Sequence, residues 1–233
     1  MNTSRMTRRL LGAALAAAVL IPASAHAAAL NPLKPCYISV TQRAPGAPDQ
    51  ITRERIDLAG SGFTPNALVD VSFDGTLETT LQADGAGNLL LANPLQSPYR
   101  ARGEGPFTLT AAEQGNPANT VALTSRTTAL ALRLRPREAR PQRRIRFSGR
   151  GFTEQKAVWA HYLYKGRVRK TVRLVRRIGN PCGQFSVRRK QIPIKRPRTG
   201  NWTLQVDQQR RYSRAPNSVF VRVKIEVLLT QER

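Results

Sequence analysis

A protein that makes or breaks bonds needs side chains that carry protons, attack carbon or phosphorus, or hold a metal, and this sequence has few. It contains two histidines, His26 and His161. His26 lies in an apolar N-terminal stretch and His161 in the run Trp159–Tyr164. A Ser–His–Asp relay or a zinc site needs further partners around the imidazole, so His161 reads as a packing or surface residue of a strand. Asp70 and Asp74 flank Ser72 at strand spacing and could share one side, where two carboxylates can act as acid and base. Solvated strand residues are the plainer reading. Asp84-Gly85-Ala86-Gly87-Asn88 lacks the alternating acids and closing glutamate of a calcium loop and reads as a hairpin turn. No glycine-rich loop followed by Lys-Ser/Thr is present to cradle a phosphate. The residues therefore point to no catalytic site, no cofactor and no metal.

The two cysteines, Cys36 and Cys182, form no C-x-x-C and have no histidine beside them. In an oxidising compartment such a pair is more often a disulfide than a metal or redox site. One intramolecular bridge is the expectation; intermolecular pairing and free thiols are the alternatives.

The remaining chemistry is that of arginine. Residues 28–132 carry 7 Lys+Arg against 9 Asp+Glu, whereas residues 133–233 carry 28 against 5. Codon bias would act on both halves, so an anionic partner is the simplest reason for a basic second half. Arg144 and Arg146, Arg167 and Arg169, and Arg222 and Lys224 stand at alternate positions, joined by Arg173 and Arg188. Alternation puts each pair on one side of a strand, and guanidinium groups bind phosphate and carboxylate bidentately. These eight are the candidate polyanion-binding residues. The partners this chemistry fits are an anionic envelope polymer, an anionic lipid surface or extracellular nucleic acid bound without sequence specificity, since nothing resembles a base-reading helix.

The elements that must position these groups begin with a leader. Arg5, Arg8 and Arg9 precede an apolar run from Leu10 to Ile21, and Ala25-His26-Ala27 has the small–x–small pattern of a cleavage site. Residues 1–27 thus read as a signal peptide for the general route, with Arg8-Arg9 resembling a weak twin-arginine signal. No later run is long enough to span a bilayer as a helix, so the expected location is extracellular or at the cell envelope.

Beyond the leader the chain repeats itself. Ile56-Asp57-Leu58-Ala59-Gly60-Ser61-Gly62-Phe63-Thr64 matches Ile145-Arg146-Phe147-Ser148-Gly149-Arg150-Gly151-Phe152-Thr153, and Val69, Val71 and Phe73 match Val158, Ala160 and Tyr162. Further on, Gly105-Pro106-Phe107-Thr108-Leu109 matches Gly200-Asn201-Trp202-Thr203-Leu204, and residues 117–121 match 216–219. Apolar residues alternate with polar ones in both copies, most regularly over Val219, Val221, Val223, Ile225 and Val227, as half-buried strands require. Asp74-Gly75 and Lys165-Gly166 mark tight turns. Leu130, Leu132 and Leu134 read as the last strand of the first copy, with the linker near Arg133 to Pro141.

The run from Gly60 to Gly75 resembles the start of secreted bacterial immunoglobulin-like domains of the IPT/TIG type, where a G-x-G-F turn follows the first core strand and the next strand carries V-x-V. The second copy keeps Gly149, Gly151, Phe152 and Thr153 but has Glu154 where the first has Pro65. The stretch from Pro181-Cys182-Gly183 to Tyr212 is similar to secreted proteins of high-GC bacteria. The resemblance implies display, spacing or binding and brings no catalytic residues. The expected architecture is all-β: a signal peptide (1–27), then two tandem immunoglobulin-like β-sandwich domains, 28–134 near neutral and 135–233 strongly basic. The expected function is non-enzymatic association of the second domain with an anionic polymer or membrane surface. The alternative is a structural spacer whose first domain meets a protein partner.

Overall fold

Period-two alternation becomes strand wherever the apolar set has a second sheet to pack against. A computed structural model describes residues 27–42, 50–137, 139–154, 156–213 and 219–225, the last of these by backbone. The leader before Ala27, the residues 216–218 of the late repeat match and Val227 lie outside the described residues. The N-terminal strands are β1 (Ala29–Leu30), β2 (Tyr37–Gln42), β3 (Gln50–Arg53), β4 (Arg55–Ile56), β5 (Ala59–Ser61), β6 (Leu68–Phe73), β7 (Thr76–Gln82), β8 (Leu89–Leu90), β9 (Leu95–Gln96), β10 (Glu104–Glu113) and β11 (Thr120–Ala129). They are followed by β12 (Ala131–Arg135), β13 (Arg144–Arg150), β14 (Val158–Tyr164), β15 (Arg167–Val175), β16 (Phe185–Lys190), β17 (Gly200–Asp207) and β18 (Val219–Ile225). The described residues contain no helix, so the expected all-β class holds.

The internal repeat reappears as sheet order. Strands β1-β5-β8 form a small sheet against β3-β2-β11-β10-β6-β7, and β12-β13-β16 form its counterpart against β15-β14-β17-β18. Repeat-matched residues take matched places: Leu109 pairs with Phe73, and Leu204 with Tyr162. Each pair of sheets encloses its own core. Ile56, Phe63, Val69, Val71, Phe107 and Leu109 lead the first, and Ile145, Phe147, Phe152, Tyr162, Trp202 and Leu204 the second. The first copy departs in two ways. Its version of β13 is broken into β4 and β5, with β4 pairing β9, and β2 extends the larger sheet by running parallel to β11.

The turn residues do what their types predict. Asp74 and Gly75 take φ of 49° and 83°, and Lys165 and Gly166 take 49° and 74°, two positive values in succession between paired strands. That is the hairpin geometry whose twist matches its strands. The second glycine of G-x-G-F has a different task. At Gly151, φ is 83° and a Cβ would lie 2.7 Å from Leu130 Cα; at Gly62 it would lie 2.7 Å from the Ala27 carbonyl oxygen. The chain entering each copy crosses directly over this glycine.

Two readings of the sequence are corrected. The segment Ala131–Arg135 pairs with β13, and Leu134 packs in the second core, so this strand opens the second copy where the sequence placed it at the end of the first. Only Leu130 separates it from β11. The Asp84–Asn88 segment is not a hairpin: β8 pairs with β5 and not with β7, so the chain changes sheet there. Cys36 immediately precedes β2.

Cys36 and Cys182 are bonded to each other, with Cα atoms 5.2 Å apart, and both are buried. The bridge ties a residue packed with the first strand set to the turn before β16. Beside it, Gln184 Nε2 donates to Glu104 Oε2 at 2.7 Å.

Two stability experiments follow. The oxidised protein, denatured without reductant, titrates no thiol, and Cys36→Ser/Cys182→Ser loses roughly 2–5 kcal/mol in urea unfolding. Gly75→Ala and Gly151→Ala share one φ, but only the second meets backbone. The first is expected to cost about 1 kcal/mol and the second roughly 1–3 kcal/mol more; equal costs would contradict the crossing.

Candidate functional site

His161 is fully buried on the side of β14 that faces away from the core. In register it stands between Thr171 of β15 and Gln205 of β17. Its Nδ1 lies 3.0 Å from Thr171 Oγ1, and its Nε2 lies 3.3 Å from Asp207 Oδ1 and 3.1 Å from the Gln209 carbonyl. Gln205 Nε2 donates to Asp207 Oδ2 at 2.6 Å, the Gln209 amide donates to Asp207 Oδ1 at 2.8 Å, and the Tyr212 ring stands edge-on to the imidazole. The segment after β17 thus folds back and seals a polar layer over the sheet. Burial alone pushes the Asp207 carboxyl up, but hydrogen bonds from His161, Gln205 and the Gln209 amide outweigh it and hold the group below its ordinary value. The result is a sealed, hydrogen-bonded layer, which agrees with a packing role for His161.

The acids singled out from the sequence are each satisfied by their own surroundings. Asp70 Oδ1 accepts from Thr80 and Gln114, and Asp74 Oδ1 accepts from the Thr108 amide. They do not converge on a shared proton. Asp84 Oδ1 accepts from the amides of Ala86 and Asn88, so its carboxylate closes the turn. Among the described residues no group of three or more His, Cys, Asp or Glu could hold a metal ion. No helix among them is long and apolar enough to cross a membrane.

The arginines fall on two sheets. β12, β13 and β16 alternate with Leu134, Ile145, Phe147 and Val187 against the core, so the intervening residues face solvent. Register aligns those residues across the sheet. Arg135 stands opposite Arg146, and Arg146 opposite Arg188. The next row is Arg144 opposite Lys190; the row on the other side is Arg133, Ser148 and Ser186. Arg133, Arg135, Arg144, Arg146, Arg188 and Lys190 are all exposed, and none forms an ion pair among the described residues. The three strands contain no Asp or Glu. Neighbouring strands lie about 4.8 Å apart and alternate residues about 6.8 Å apart along a strand, so this is a close cationic grid. Like charges directly opposite one another are unfavourable.

Of the eight arginine and lysine candidates, the structure brings Arg144, Arg146 and Arg188 together. Arg167, Arg169 and Arg173 lie on β15 of the other sheet, whose core-facing side packs against the same core from the opposite direction. Arg222 and Lys224 lie on β18 of that sheet, opposite Thr203 and Asn201. One flat surface therefore does not hold all eight. Arg173 instead stands over Trp159 at 5.8 Å, with Arg210 at 5.9 Å from the same ring. Arg133, Arg135 and Lys190 belong to the grid, and only their alternation could have signalled it.

No family model matches the chain, and no curated protein matches it in sequence. Among solved structures, a tetra-tandem repeat from the extending region of a large adhesion protein aligns at 17% identity over 80% of this chain and 48% of that chain, with a TM-score of 0.25. Parabacteroides merdae β-glucuronidase aligns at 10% identity over 74% of this chain and 23% of its own, with a TM-score of 0.22. This chain spans about half the length of the adhesion repeat it matches. Superpositions of that quality decide neither fold nor function, and the site rests on its own geometry.

The buried layer carries a pH signature. A carboxylate whose pKa is depressed on folding contributes stability above the ordinary aspartate range, and that stability is lost as pH falls through the folded value. Asp207→Asn is expected to cost roughly 1–3 kcal/mol at neutral pH by setting an amide against the Gln205 donor. It should also flatten the fall of the urea midpoint below about pH 4. A variant as stable as the parent, with the same acid profile, would contradict the network.

Proposed function

We propose that the chain is a non-catalytic binding protein that associates with a linear polyanion through the outward face of β12, β13 and β16. One observation carries this reading: Arg135, Arg146 and Arg188 stand in one register row, with cations in the rows on both sides and no acid on the three strands. A face that accumulates repulsion in the free protein gains most when an anion covers it. Guanidinium groups at these spacings suit phosphate, sulfate or carboxylate groups repeating along a chain. No aromatic side chain lies on these rows to stack a nucleobase, which favours an envelope polymer or anionic lipid over nucleic acid as the natural ligand.

The protein is proposed to act outside the cytoplasm as two tandem immunoglobulin-like domains of IPT/TIG type, meeting at Leu130. The buried disulfide supports the compartment. The same disulfide, with the Gln184–Glu104 hydrogen bond and a single residue between β11 and β12, favours a second reading as a rigid spacer presenting its first domain to a protein partner.

Binding of long-chain polyphosphate to the oxidised protein decides between the two. Six to ten ionic contacts should weaken by roughly three to five decades between 50 and 200 mM salt. Arg135→Gln/Arg146→Gln/Arg188→Gln should lower the slope of log affinity against log salt by roughly 2–3. Arg167→Gln/Arg169→Gln, on the other sheet, should change it less. No binding at 50 mM salt would leave the spacer reading in place.

A further inference from the structure

The cationic grid has a hollow at one end. Across β12, β13 and β16, the row next to Arg135–Arg146–Arg188 holds Arg133 and then two serines, Ser148 and Ser186. One row further, Arg150 stands opposite Ala131. Two short side chains between rows of long ones leave a depression, and a cleft of about 650 Å³ lies there, lined by Arg133, Ser148, Arg150, Gln184, Phe185 and Ser186 among others. That volume falls within the range of small-molecule sites, about 300–1,000 Å³.

The lining groups are arranged as donors. Ser148 Oγ and Ser186 Oγ lie 3.3 Å apart and share one hydrogen bond, which leaves a second hydroxyl hydrogen for another acceptor. Arg150 Nε is buried and has no hydrogen-bond partner among the described residues, a condition that native structures rarely tolerate without a purpose. Arg133 is exposed at the rim and forms no ion pair among the described residues. Gln184 differs: Glu104 of the N-terminal strand set takes its Nε2 at 2.7 Å, and Arg126 holds Glu104 in turn at 2.7 Å. The amide is thereby turned so that its Oε1 is left to accept. Among the described residues no Asp or Glu lines the cleft, and the carboxylate held against Gln184, that of Glu104, is paired with Arg126. Phe185 and Leu132 add an apolar flank.

We infer that this cleft is a specific site for one oxyanion carried on a polyol: the carboxylate of a uronate or the phosphate of a sugar phosphate. This rests on the reading of the sheet face as the ligand-bearing surface. The oxyanion sits between Arg133, Arg150 and the serine hydroxyls, and a ligand hydroxyl donates to Gln184 Oε1. The grid holds the rest of the polymer by charge alone, whereas the cleft selects the unit at this end. The site is also built across the two strand sets. Gln184 follows Cys182 by two residues and is oriented by Glu104, so the disulfide holds its geometry.

Calorimetry of the full oxidised protein at 500 mM salt separates cleft from grid, because screening at that ionic strength acts over less than about 8 Å. The probes are glucuronate, glucose 6-phosphate and glucose. Glucuronate or glucose 6-phosphate should bind at 500 mM salt, and whichever binds identifies the oxyanion; glucose should not bind. Ser148→Ala/Ser186→Ala should weaken that binding at least tenfold. Ser148→Val/Ser186→Val, which suits strand and fills the hollow, should abolish it, while both variants keep polyphosphate affinity at 50 mM salt. Reduction should weaken the charged sugar and spare polyphosphate. The inference is overturned if neither charged sugar binds at 500 mM, if glucose binds as well as they do, or if the serine variants bind them unchanged. Loss of polyphosphate binding with charged-sugar binding intact would remove the grid reading and support the cleft.

Discussion

Leu134, Phe147 and Val187 stand opposite one another across β12, β13 and β16, and the arrangement of the second strand set depends on that row. Each is one residue from an arginine: Arg135, Arg146 and Arg188. A strand slipped by one position would carry its arginines into the core and its apolar residues into water. Burying a large apolar side chain is worth about 1.5–3 kcal/mol, and an unpaired buried guanidinium costs far more. The core therefore sets the register, and the register in turn forces three guanidinium groups into line on the solvent side. The repulsion on that face is a consequence of a packing decision made on the other side of the sheet.

The first strand set shows what the same plan does with different outward residues. Its matching segments carry Asp57, Ser61 and Asp70 where the second set carries Arg146, Arg150 and Trp159. Both copies keep the glycine crossing and the turn that pairs with it: the amides of Phe63 and Phe152 donate to the carbonyls of Gly87 and Gly183. The conserved plan within the chain is thus backbone and core, while the outward positions have diverged in charge. The disulfide and the Gln184–Glu104 bond then join the neutral copy to the edge of the cationic face.

Much of this was legible in the residues. Alternation identified the strands, the matched G-x-G-F segments identified the copies, and Asp74-Gly75 and Lys165-Gly166 identified the hairpins, because each signal is local. Assignments that depend on which strand lies beside which were not legible. Ala131–Arg135 looked like a closing strand because period-two alternation is the same for any neighbour. Asp84–Asn88 looked like a hairpin turn because turn chemistry does not reveal that the chain changes sheet. The division of the arginines between two sheets follows from pairing alone. The pairing of His161 with Asp207, 46 residues apart, and the burial of Arg150 Nε had no sequence signal at all.

The proposed anion binding is positional: it is assigned to β12, β13 and β16, where register stacks the cations, and not to wherever positive charge is abundant. Backbone amide chemical shifts of the oxidised protein, followed as polyphosphate is added at 50 mM salt, test this strand by strand. The account predicts saturable shifts concentrated on Ala131–Arg135, Arg144–Arg150 and Phe185–Lys190, with β15 and the N-terminal strands little changed. Shifts spread evenly over all the basic segments, or centred on Arg167–Val175, would contradict it.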